Sequence, residues 1–175
     1  ISPYGSSKLC AEAYFSSFAS SYGMDISALR FANVVGPYSY HKKGAVTSFM
    51  KLIMNNENIT IFGDGSSTRD YLHVDDLGNG IISALQTKLN PSFKRYHLSS
   101  GTETSIKDLA NKIILYSPVK YDGKIIFKEK RAGEVERNFA NYDKAKSYLN
   151  FEPKFSLDNA IKNTWDWLYN YKTNL

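Results

Sequence analysis

A tyrosine and a lysine four residues apart are the most suggestive chemical pair in this sequence. Tyr4 and Lys8 lie in the stretch "ISPYGSSKLCAEAYF". A tyrosine can act as a general acid and base when nearby positive charge lowers its pKa from about 10. The same spacing recurs three more times, at Tyr38/Lys42, Tyr116/Lys120 and Tyr142/Lys146. The elements that carry the four pairs must therefore decide which of them is chemically meaningful.

Local context favours Tyr4/Lys8 over the other pairs. Ser2 and Pro3 predict a helix start, with Ser as cap and Pro in the first turn, and Gly23 predicts its end. Residues four apart are neighbours on such a helix. The face expected to be buried consists of Cys10, Tyr14, Phe15, Phe18 and Tyr22. The alternative interpretation is a partly exposed aromatic side chain beside a solvated lysine.

The other three pairs have less favourable surroundings. Tyr38 follows Gly36-Pro37 and is predicted to lie in a loop. Pro118 interrupts the third pair, because proline breaks a helix at its interior. The fourth pair falls on a short polar helix that we expect to face solvent.

Composition narrows the class of protein. The 175 residues are 42% hydrophobic and 22% charged, which is typical of a soluble globular domain. The single cysteine, Cys10, excludes an internal disulfide framework and favours a cytoplasmic protein. The net charge is +5, but the lysines are scattered, and no zinc-ligand spacing accompanies them. We therefore expect neither nucleic acid, nor a membrane, nor a metal ion as a partner.

Helical and strand patterns alternate along the chain. Strands are predicted at 26–31, in "NITIFGDG" and at 95–99, and Asp75-Asp76 begins a helix that runs to about Leu85. Ser105 is placed to cap a further helix. The remaining helices are expected in "AVTSFMKLIMNN", "NYDKAKSYL" and "SLDNAIKNTWDWLYNY". This alternation predicts an α/β fold with parallel strand pairing. A glycine-rich turn between a strand and a helix, which would bind a dinucleotide pyrophosphate, is missing from the sequence.

Four stretches in fixed order carry a family resemblance. They are "SPYGSSKLCAE", "LRFANVVGP", "FGDGSSTRDYLHVDDL" and "RAGEVERNFANYDKAKSYLNFEPKFSLDNAI". Together they resemble the nucleotide-sugar epimerase/dehydratase branch of the extended short-chain dehydrogenase/reductase family, and most of all its UDP-glucose 4-epimerases. The resemblance spans nearly the whole chain and corresponds to the C-terminal half of such an enzyme.

The resemblance implies a fold and a division of the chain. It implies the C-terminal part of a Rossmann-type parallel sheet together with a small α/β substrate-binding domain. Residues 1–36 and 75–100 would belong to the NAD-binding Rossmann domain. Residues 37–74 and 101–175 would form the nucleotide-sugar-binding domain. The Gly-rich turn would then lie in an upstream half of roughly 150 residues.

The resemblance also implies the catalytic and cofactor residues. Tyr4 would be the acid and base, and Lys8 would hold the nicotinamide ribose of NAD while lowering the pKa of Tyr4. Phe31 would lie beside the nicotinamide. Asn33 would bind the substrate, since its amide can both donate and accept; a turn-stabilising asparagine is the alternative.

A second set of residues is implied for the nucleotide sugar. The backbone at Gly44 and Ala45 would bind the diphosphate at a helix N-terminus. Arg69 and Arg131 would contact phosphate oxygens, and Glu134 would accept hydrogen bonds from ribose hydroxyls. The uracil would lie at Thr60 and Phe62. Asn138 would line the pocket at the hexose C2 substituent and leave room for an N-acetyl group; alternatively it begins a turn. Ala132 departs from the proline that the family has in this motif.

Four polar residues near these motifs are expected to be structural. Asp70 would pair with Arg69 or cap a turn, and His73 would be a satisfied structural histidine. Asp75 and Asp76 would cap the helix that follows them.

The implied function is NAD-dependent epimerisation at C4 of a UDP-hexose through a 4-keto sugar, in a protein that forms a homodimer when full length. Nucleotide-sugar 4,6-dehydratases and uronate decarboxylases share these motifs and remain alternatives. A third alternative, from a different class, is a non-catalytic nucleotide-sugar-binding module.

Overall fold

The computed structural model describes residues 3–88 and 92–173 and shows helices alternating with strands. The helices are α1 Pro3–Tyr22, α2 Ala45–Met54, α3 Val74–Gln86, α4 Ile106–Leu115, α5 Asp143–Leu149 and α6 Leu157–Thr173. The strands are β1 Ile26–Phe31, β2 Asn33–Val35, β3 Ile59–Phe62, β4 Thr68–Arg69, β5 Tyr71–His73, β6 Phe93–Leu98, β7 Thr104–Ser105, β8 Ile125–Lys128 and β9 Arg137–Asn138. The predicted α/β fold with parallel pairing is confirmed.

Three strand pairs run parallel and carry the architecture. Strand β1 pairs with β6 from Ile26↔Phe93 to Phe31↔Leu98, β2 pairs with β5, and β3 pairs with β8. Parallel pairing requires a crossover between the strands, and the helices supply it. In a fourth, smaller sheet β4 lies between β7 and β9, antiparallel to the first and parallel to the second.

The larger hydrophobic core lies between α2, α4, α6 and strand β3. Trp165 is fully buried there, and its indole Nε1 donates to the carbonyl oxygen of Ile113 at 3.0 Å. The indole thus fills the core while its one polar group is satisfied. The other fully buried side chains of this core include Met50, Ile53, Ile59, Ile61, Leu109, Ile113, Ile161 and Leu168.

A second core joins distant parts of the chain. Tyr96 and Leu98 of β6 pack with Leu72 of β5 and with Leu149 and Phe151 at the end of α5. Helix α5 therefore contacts β6 and α3, although it follows them by more than forty residues. This return of the chain fixes the parallel strands relative to the polypeptide that carries Arg131, Glu134 and Asn138.

Helix α1 has the predicted bounds but not the predicted buried face. Its buried residues are Glu12 and Ala19, whereas the side chains expected in the core are all exposed: Cys10, Tyr14, Phe15, Phe18 and Tyr22. At 100° per residue, the apolar stripe is rotated by roughly 110° from the side that packs on β1 and β6. The pattern identified a real apolar face, but the strands contact a different one.

Helix caps were predicted with mixed success. Gly23 has φ of +63° directly after α1, and Ser105 Oγ accepts from the Asp108 N–H at 3.0 Å, both as predicted. Ser2 lies outside the described residues. Asp75 and Asp76 do not cap α3, because His73 is the N-cap and its Nδ1 accepts from the Asp75 N–H.

Asp76 has a different structural role. Its buried carboxylate accepts from the backbone N–H groups of Lys154 and Phe155, each at 3.0 Å. It thereby ties α3 to the segment that precedes α6. Across the described ranges, 3–88 and 92–173, no helix has the length and apolarity needed to cross a bilayer.

Candidate active site

A cleft of about 720 Å³ opens where the strands β1, β2, β4 and β9 meet the start of α2. Its volume lies within the range of small-molecule sites, about 300–1,000 Å³. Eight of the predicted site residues line it: Tyr4, Phe31, Asn33, Gly44, Ala45, Arg69, Glu134 and Asn138. Residues from six helices and strands and from two loops therefore converge on one cavity.

Tyr4 and Phe31 form one side of the cleft. Tyr4 lies in the first turn of α1 and is exposed, and Phe31 ends β1 with 57% of its surface accessible. The Nζ of Lys8 lies 5.2 Å from the centroid of the Tyr4 ring, one turn further along the helix. Lys8 itself is not part of the cleft wall, so its contact with the site runs through Tyr4.

Asn33 lies just beyond Phe31, at the start of β2. Its Nδ2 donates to the Asp70 carbonyl oxygen at 3.0 Å, which fixes the side chain across the β2–β5 pair. The amide is thus partly structural, although Asn33 lies in a strand and not in a turn, where the alternative interpretation had placed it. It still lines the cleft between the Tyr4 side and the Arg69 side.

The opposite side of the cleft suits an anion. Gly44 is the N-cap of α2 and provides no side-chain cap, so the first N–H groups of this ten-residue helix are not capped by a side chain. Helix N-termini carry partial positive charge and unpaired donors. Lys42 and Arg69 line the same cavity and add two full positive charges.

Arg69 and Glu134 face each other within the cleft. Arg69 Nη1 donates to the Thr68 carbonyl oxygen at 2.8 Å, and its Nη2 lies 3.9 Å from Glu134 Oε1. The second carboxylate oxygen of Glu134 is buried and has no hydrogen-bond partner among the described residues. An unpaired buried acceptor costs roughly 1–3 kcal/mol, so a ligand hydroxyl at this oxygen would be stabilising.

Asn138 is a neighbour of Arg69 rather than part of a turn. The parallel pairing of β4 and β9 places the two residues in register, and the Asp70 N–H donates to the Asn138 carbonyl oxygen at 2.9 Å. The alternative that Asn138 begins a turn is therefore wrong. Its side chain belongs to the cleft wall.

Besides Lys8, three predicted residues lie outside this cleft wall. Thr60 and Phe62 occupy the half-buried face of β3, and the guanidinium carbon of Arg131 lies 3.6 Å from the centroid of the Phe62 ring. Arg131 therefore stacks on an aromatic ring instead of pointing at Arg69. The resemblance implied that both arginines contact phosphate oxygens, and in this structure only Arg69 lines the cleft.

Asp70 and His73 are structural, as expected. Asp70 accepts from the Ser100 N–H, the Ser100 hydroxyl and the Gly101 N–H, so it caps that turn and does not pair with Arg69. The buried His73 ring caps α3 and stacks on Phe155 with ring centroids 4.1 Å apart.

Several cleft residues were not anticipated from the sequence. Arg30 and His97 lie opposite each other in the β1–β6 register, and both line the cavity. Burial lowers the pKa of His97, and the charge of Arg30 lowers it further. Arg30 and His97 are far apart in the sequence, and only the register of the β1–β6 pair brings their side chains together. The sequence alone did not reveal that pairing.

The Tyr71 ring forms another part of the wall, and its buried hydroxyl has no partner among the described residues. Burial raises the pKa of Tyr71 to about 12.

No cluster of three or more His, Cys, Asp or Glu side chains within 3–88 and 92–173 is arranged to hold a metal ion. The donor set of the cleft instead combines a phenol, amides, an arginine and a helix N-terminus. Such groups bind and protonate an oxygen-rich, anionic small molecule. The fold and cleft thus define an α/β protein whose cleft has the volume and the polar groups typical of a small-molecule site.

The comparisons with known proteins agree with this class. The family model described as GDP-mannose 4,6 dehydratase matches residues 1–164. The chain belongs to this family of nucleotide-sugar epimerases and dehydratases within the short-chain dehydrogenases/reductases. A putative UDP-glucose 4-epimerase of Methanocaldococcus jannaschii is 32% identical over 97% of the chain and 54% of its own length.

Solved structures give the same result. A UDP-glucose 4-epimerase from Thermotoga maritima, determined with UDP-glucose, superposes with a TM-score of 0.91 at 33% identity, over 98% of this chain and 55% of its own. A UDP-glucuronic acid 4-epimerase from Bacillus cereus, in complex with UDP-glucuronic acid and NAD, gives a TM-score of 0.87 at 27% identity, over 98% and 54% respectively. The Rossmann-type fold is thereby confirmed, and the chain spans about half the length of the relatives it matches.

Proposed function

We propose that the intact protein is an NAD-dependent UDP-hexose 4-epimerase and that this chain supplies its acid/base residue and most of its nucleotide-sugar site. One observation carries the proposal. A single cleft has Tyr4 on one side, with Lys8 beside it outside the wall, and the N-terminus of α2 with Arg69 on the other. A diphosphate-linked sugar needs a proton-transfer group beside the sugar and positively charged donors beside the diphosphate, and the two sides of the cleft provide these.

The chain's own residues divide the work between binding and proton transfer. The diphosphate binds at Gly44, Ala45 and Arg69, because helix N–H groups and a guanidinium both donate to phosphate oxygens. The unpaired Glu134 oxygen accepts from a ribose hydroxyl. The uracil binds at Thr60 and Phe62, outside the cleft wall, once the Arg131 guanidinium has left the Phe62 ring.

Tyr4 takes the proton from the sugar C4 hydroxyl and later returns it to the C4 oxygen. The Nζ of Lys8 lies 5.2 Å from the Tyr4 ring centroid and places a positive charge beside the phenol. NAD, when bound beside Phe31, supplies hydride acceptance and hydride return at C4. Tyr4 and Phe31 both line the cleft, so a nicotinamide held beside Phe31 would share the cavity with the residue that transfers the proton.

Inversion at C4 requires the 4-keto sugar to present its other face. This turning is favoured when the diphosphate is gripped and the hexose is loosely held. Between Phe31 and Gly44 the wall contains the small or apolar residues Ala32, Val34 and Val35 beside Asn33, Ser39 and Lys42. Lys42, Arg69 and the N-terminus of α2 would hold the diphosphate, and the apolar stretch would leave the hexose less tightly bound.

The remainder of the Rossmann domain is proposed to lie upstream. Residues 1–36 and 75–100 would complete it, and 37–74 with 101–175 would form the nucleotide-sugar-binding domain. The exposed apolar face of α1, formed by Tyr14, Phe18 and Tyr22, supports coverage by another polypeptide. A homodimer of the intact enzyme is the proposed arrangement, because exposed apolar faces of this kind typically mark interfaces.

A 4,6-dehydratase is the second candidate, and the dehydratase description of the matching family favours it. Elimination of water from the sugar requires an additional acid/base pair beyond Tyr4. A uronate decarboxylase would use the same cleft with a carboxylated sugar, and a non-catalytic module would bind without turnover.

Incubating the intact enzyme with NAD and UDP-glucose separates these candidates by product. We expect UDP-galactose, which has the same mass as the substrate and is resolved by chromatography. A product lighter by one water would indicate a dehydratase. Loss of carbon dioxide from UDP-glucuronate would indicate a decarboxylase. Binding of UDP-glucose with no product from either substrate would leave the non-catalytic module.

A further inference from the structure

Helix α1 is held on the strands by a buried carboxylate. Glu12 receives two hydrogen bonds from Arg30 of β1, Nε to Oε1 and Nη2 to Oε2, each at 2.6 Å. Arg95 of β6 adds a weaker contact, with its Nη1 at 3.8 Å from Glu12 Oε2. Such a two-pronged guanidinium–carboxylate pair fixes orientation as well as distance.

The pair connects the catalytic helix to the cleft. Tyr4, Lys8 and Glu12 follow one another at intervals of four residues, so they lie along the same side of α1. Arg30 directly precedes Phe31 and lines the same cleft as Tyr4. Glu12, which anchors the helix, is therefore hydrogen-bonded to Arg30, which borders the cleft.

Apolar packing gives α1 little other support on its strand-facing side. Among its described residues, only Glu12 and Ala19 are buried. The nearest aromatic contact is Phe15 with Phe93, whose ring centroids are 6.4 Å apart. Because so little apolar surface of α1 is packed on the strands, the Glu12–Arg30 ion pair is the main contact that restrains the tilt of the helix.

We propose that Glu12 and Arg30 form a positioning pair that sets where Tyr4 stands in the cleft. Glu12 lies eight residues after Tyr4, a distance of about 12 Å along the helix axis. A tilt of about 5° around Glu12 would move Tyr4 by about 1 Å at that lever length. A misplacement of this size is enough to slow an enzymatic reaction by about 100-fold.

The charges around Glu12 are consistent with a permanent ion pair. The Arg30 hydrogen bonds hold the pKa of Glu12 below its ordinary value, although burial opposes them, and the charges of Arg95 and His97 act in the same direction as Arg30. Glu12 in turn raises the pKa of Arg30. Both groups thus stay charged at neutral pH.

The test rests on the proposed function and uses the intact enzyme with NAD. Glu12→Gln removes the charge while keeping the shape. We expect kcat to fall by about 10- to 100-fold. The KM for the UDP-sugar should change by less than about threefold, because the residues proposed to bind the diphosphate are untouched. In Arg30→Gln and in the double variant kcat should fall no further than in Glu12→Gln, since the two residues act as one unit.

A matched ion pair serves as control. Lys112 and Asp158 join α4 to α6 with an Nζ–Oδ1 distance of 2.6 Å and do not line the cleft. Asp158→Asn should leave kcat within about twofold of the wild-type value, because surface pairs contribute little. If Glu12→Gln kept wild-type kcat, or if Asp158→Asn lowered kcat as much, the positioning role would be overturned.

A second variant and a second measurement keep the outcome decisive. If Glu12→Gln does not fold, Arg30→Lys keeps the charge but loses the fork, and kcat must still fall more than KM changes. Hydrogen exchange at the α1 amides should become faster in either variant than in Asp158→Asn. Unchanged exchange would refute the anchoring even if the wild-type enzyme lacked epimerase activity, whereas missing activity alone would refute only the proposed function.

Discussion

Two regions of the molecule bury their apolar residues to very different degrees. Around Trp165, helices α2, α4 and α6 enclose a core whose largest side chains are fully buried. Helix α1 instead keeps Tyr14, Phe18 and Tyr22 exposed, although it lies against strands β1 and β6. The apolar side chains of the first region are enclosed by other described residues. In the second region, no described residue buries the apolar face of α1.

The cleft lies between these regions and takes residues from both. Tyr4 and Phe31 come from the uncovered side, whereas Gly44 begins a helix of the enclosed core. The part proposed to bind the anion is therefore joined to the enclosed core. The part proposed to transfer the proton depends on helix α1, of which only Glu12 and Ala19 are buried among the described residues, so a small displacement there would have the largest chemical effect.

The largest expected effect concerns the chemical side of this comparison. In the intact enzyme, Tyr4→Phe should lower kcat by about two to four orders of magnitude, since it removes a positioned acid/base group. Tyr148→Phe, at an exposed tyrosine of α5 outside the cleft, is the control and should retain activity. Near-normal epimerisation by Tyr4→Phe would reject the assignment.

The different burial of the two regions should appear as different losses in the free energy of unfolding when a large side chain is removed from each. Trp165→Ala should reduce the free energy of unfolding by about 3–5 kcal/mol, because a large buried side chain leaves a cavity. Phe18→Ala should cost less than about 0.5 kcal/mol in the 175-residue chain, as for an exposed site. Urea denaturation followed by circular dichroism compares them, and equal losses would show that the α1 face is packed after all.

These contrasts show how far sequence reasoning reached. The ends of α1 were predictable because Pro3 and Gly23 act through local backbone geometry. Its buried side was not, because the strands that contact it decide which face is covered. Asp76 was assigned a local cap and instead binds backbone N–H groups 78 and 79 residues away.

The candidate site divides in the same way. The motif residues Tyr4, Asn33 and Arg69 could be named from the sequence, and the fold brings them into one cleft. Arg30 and His97 could not, because only the β1–β6 register brings them there. Residue types predict chemistry, whereas pairing between distant strands determines which groups meet.

Tyr71 allows a pH test at the wall between the regions. Its pKa is raised from 10.0 to about 12 by burial, so the unfolded chain loses this proton first as pH rises. The stability is therefore intact below pH 10 and falls by about 2.7 kcal/mol through pH 12. Tyr71→Phe should lack this component when free energies of unfolding are compared across that range. An identical pH dependence in both proteins would show that the hydroxyl is solvated.

Arginine replacements test the anion side. Arg69→Ala should weaken UDP binding by about 1.5–3 kcal/mol, the value of a hydrogen bond to a charged group. Arg131→Ala should cost less, because Arg131 must first leave the Phe62 ring, a contact worth about 0.5–1 kcal/mol at exposed sites. Calorimetric titration of the intact enzyme measures both, and unchanged affinity in both variants would show that the diphosphate binds elsewhere.

A smaller effect is expected at Asn138, where the size of the side chain should determine which substituent the sugar can carry at C2. This residue lies in register with Arg69 and lines the cleft, so it is held by the strand pairing rather than by a loop. Its short amide leaves room for a C2 substituent and can donate to an acetamido carbonyl. The intact enzyme is therefore predicted to accept UDP-N-acetylglucosamine as well as UDP-glucose.

Asn138→Tyr should close that space. We expect kcat/KM for UDP-N-acetylglucosamine to fall about tenfold further than for UDP-glucose, a difference of about 1.4 kcal/mol that is typical of pocket discrimination. Asn138→Ser retains a small polar side chain and should affect the two substrates alike. Because β9 fixes the backbone at this position, the added ring has no easy way to move aside. Equal losses for both sugars in Asn138→Tyr would mean that the C2 substituent faces another part of the wall.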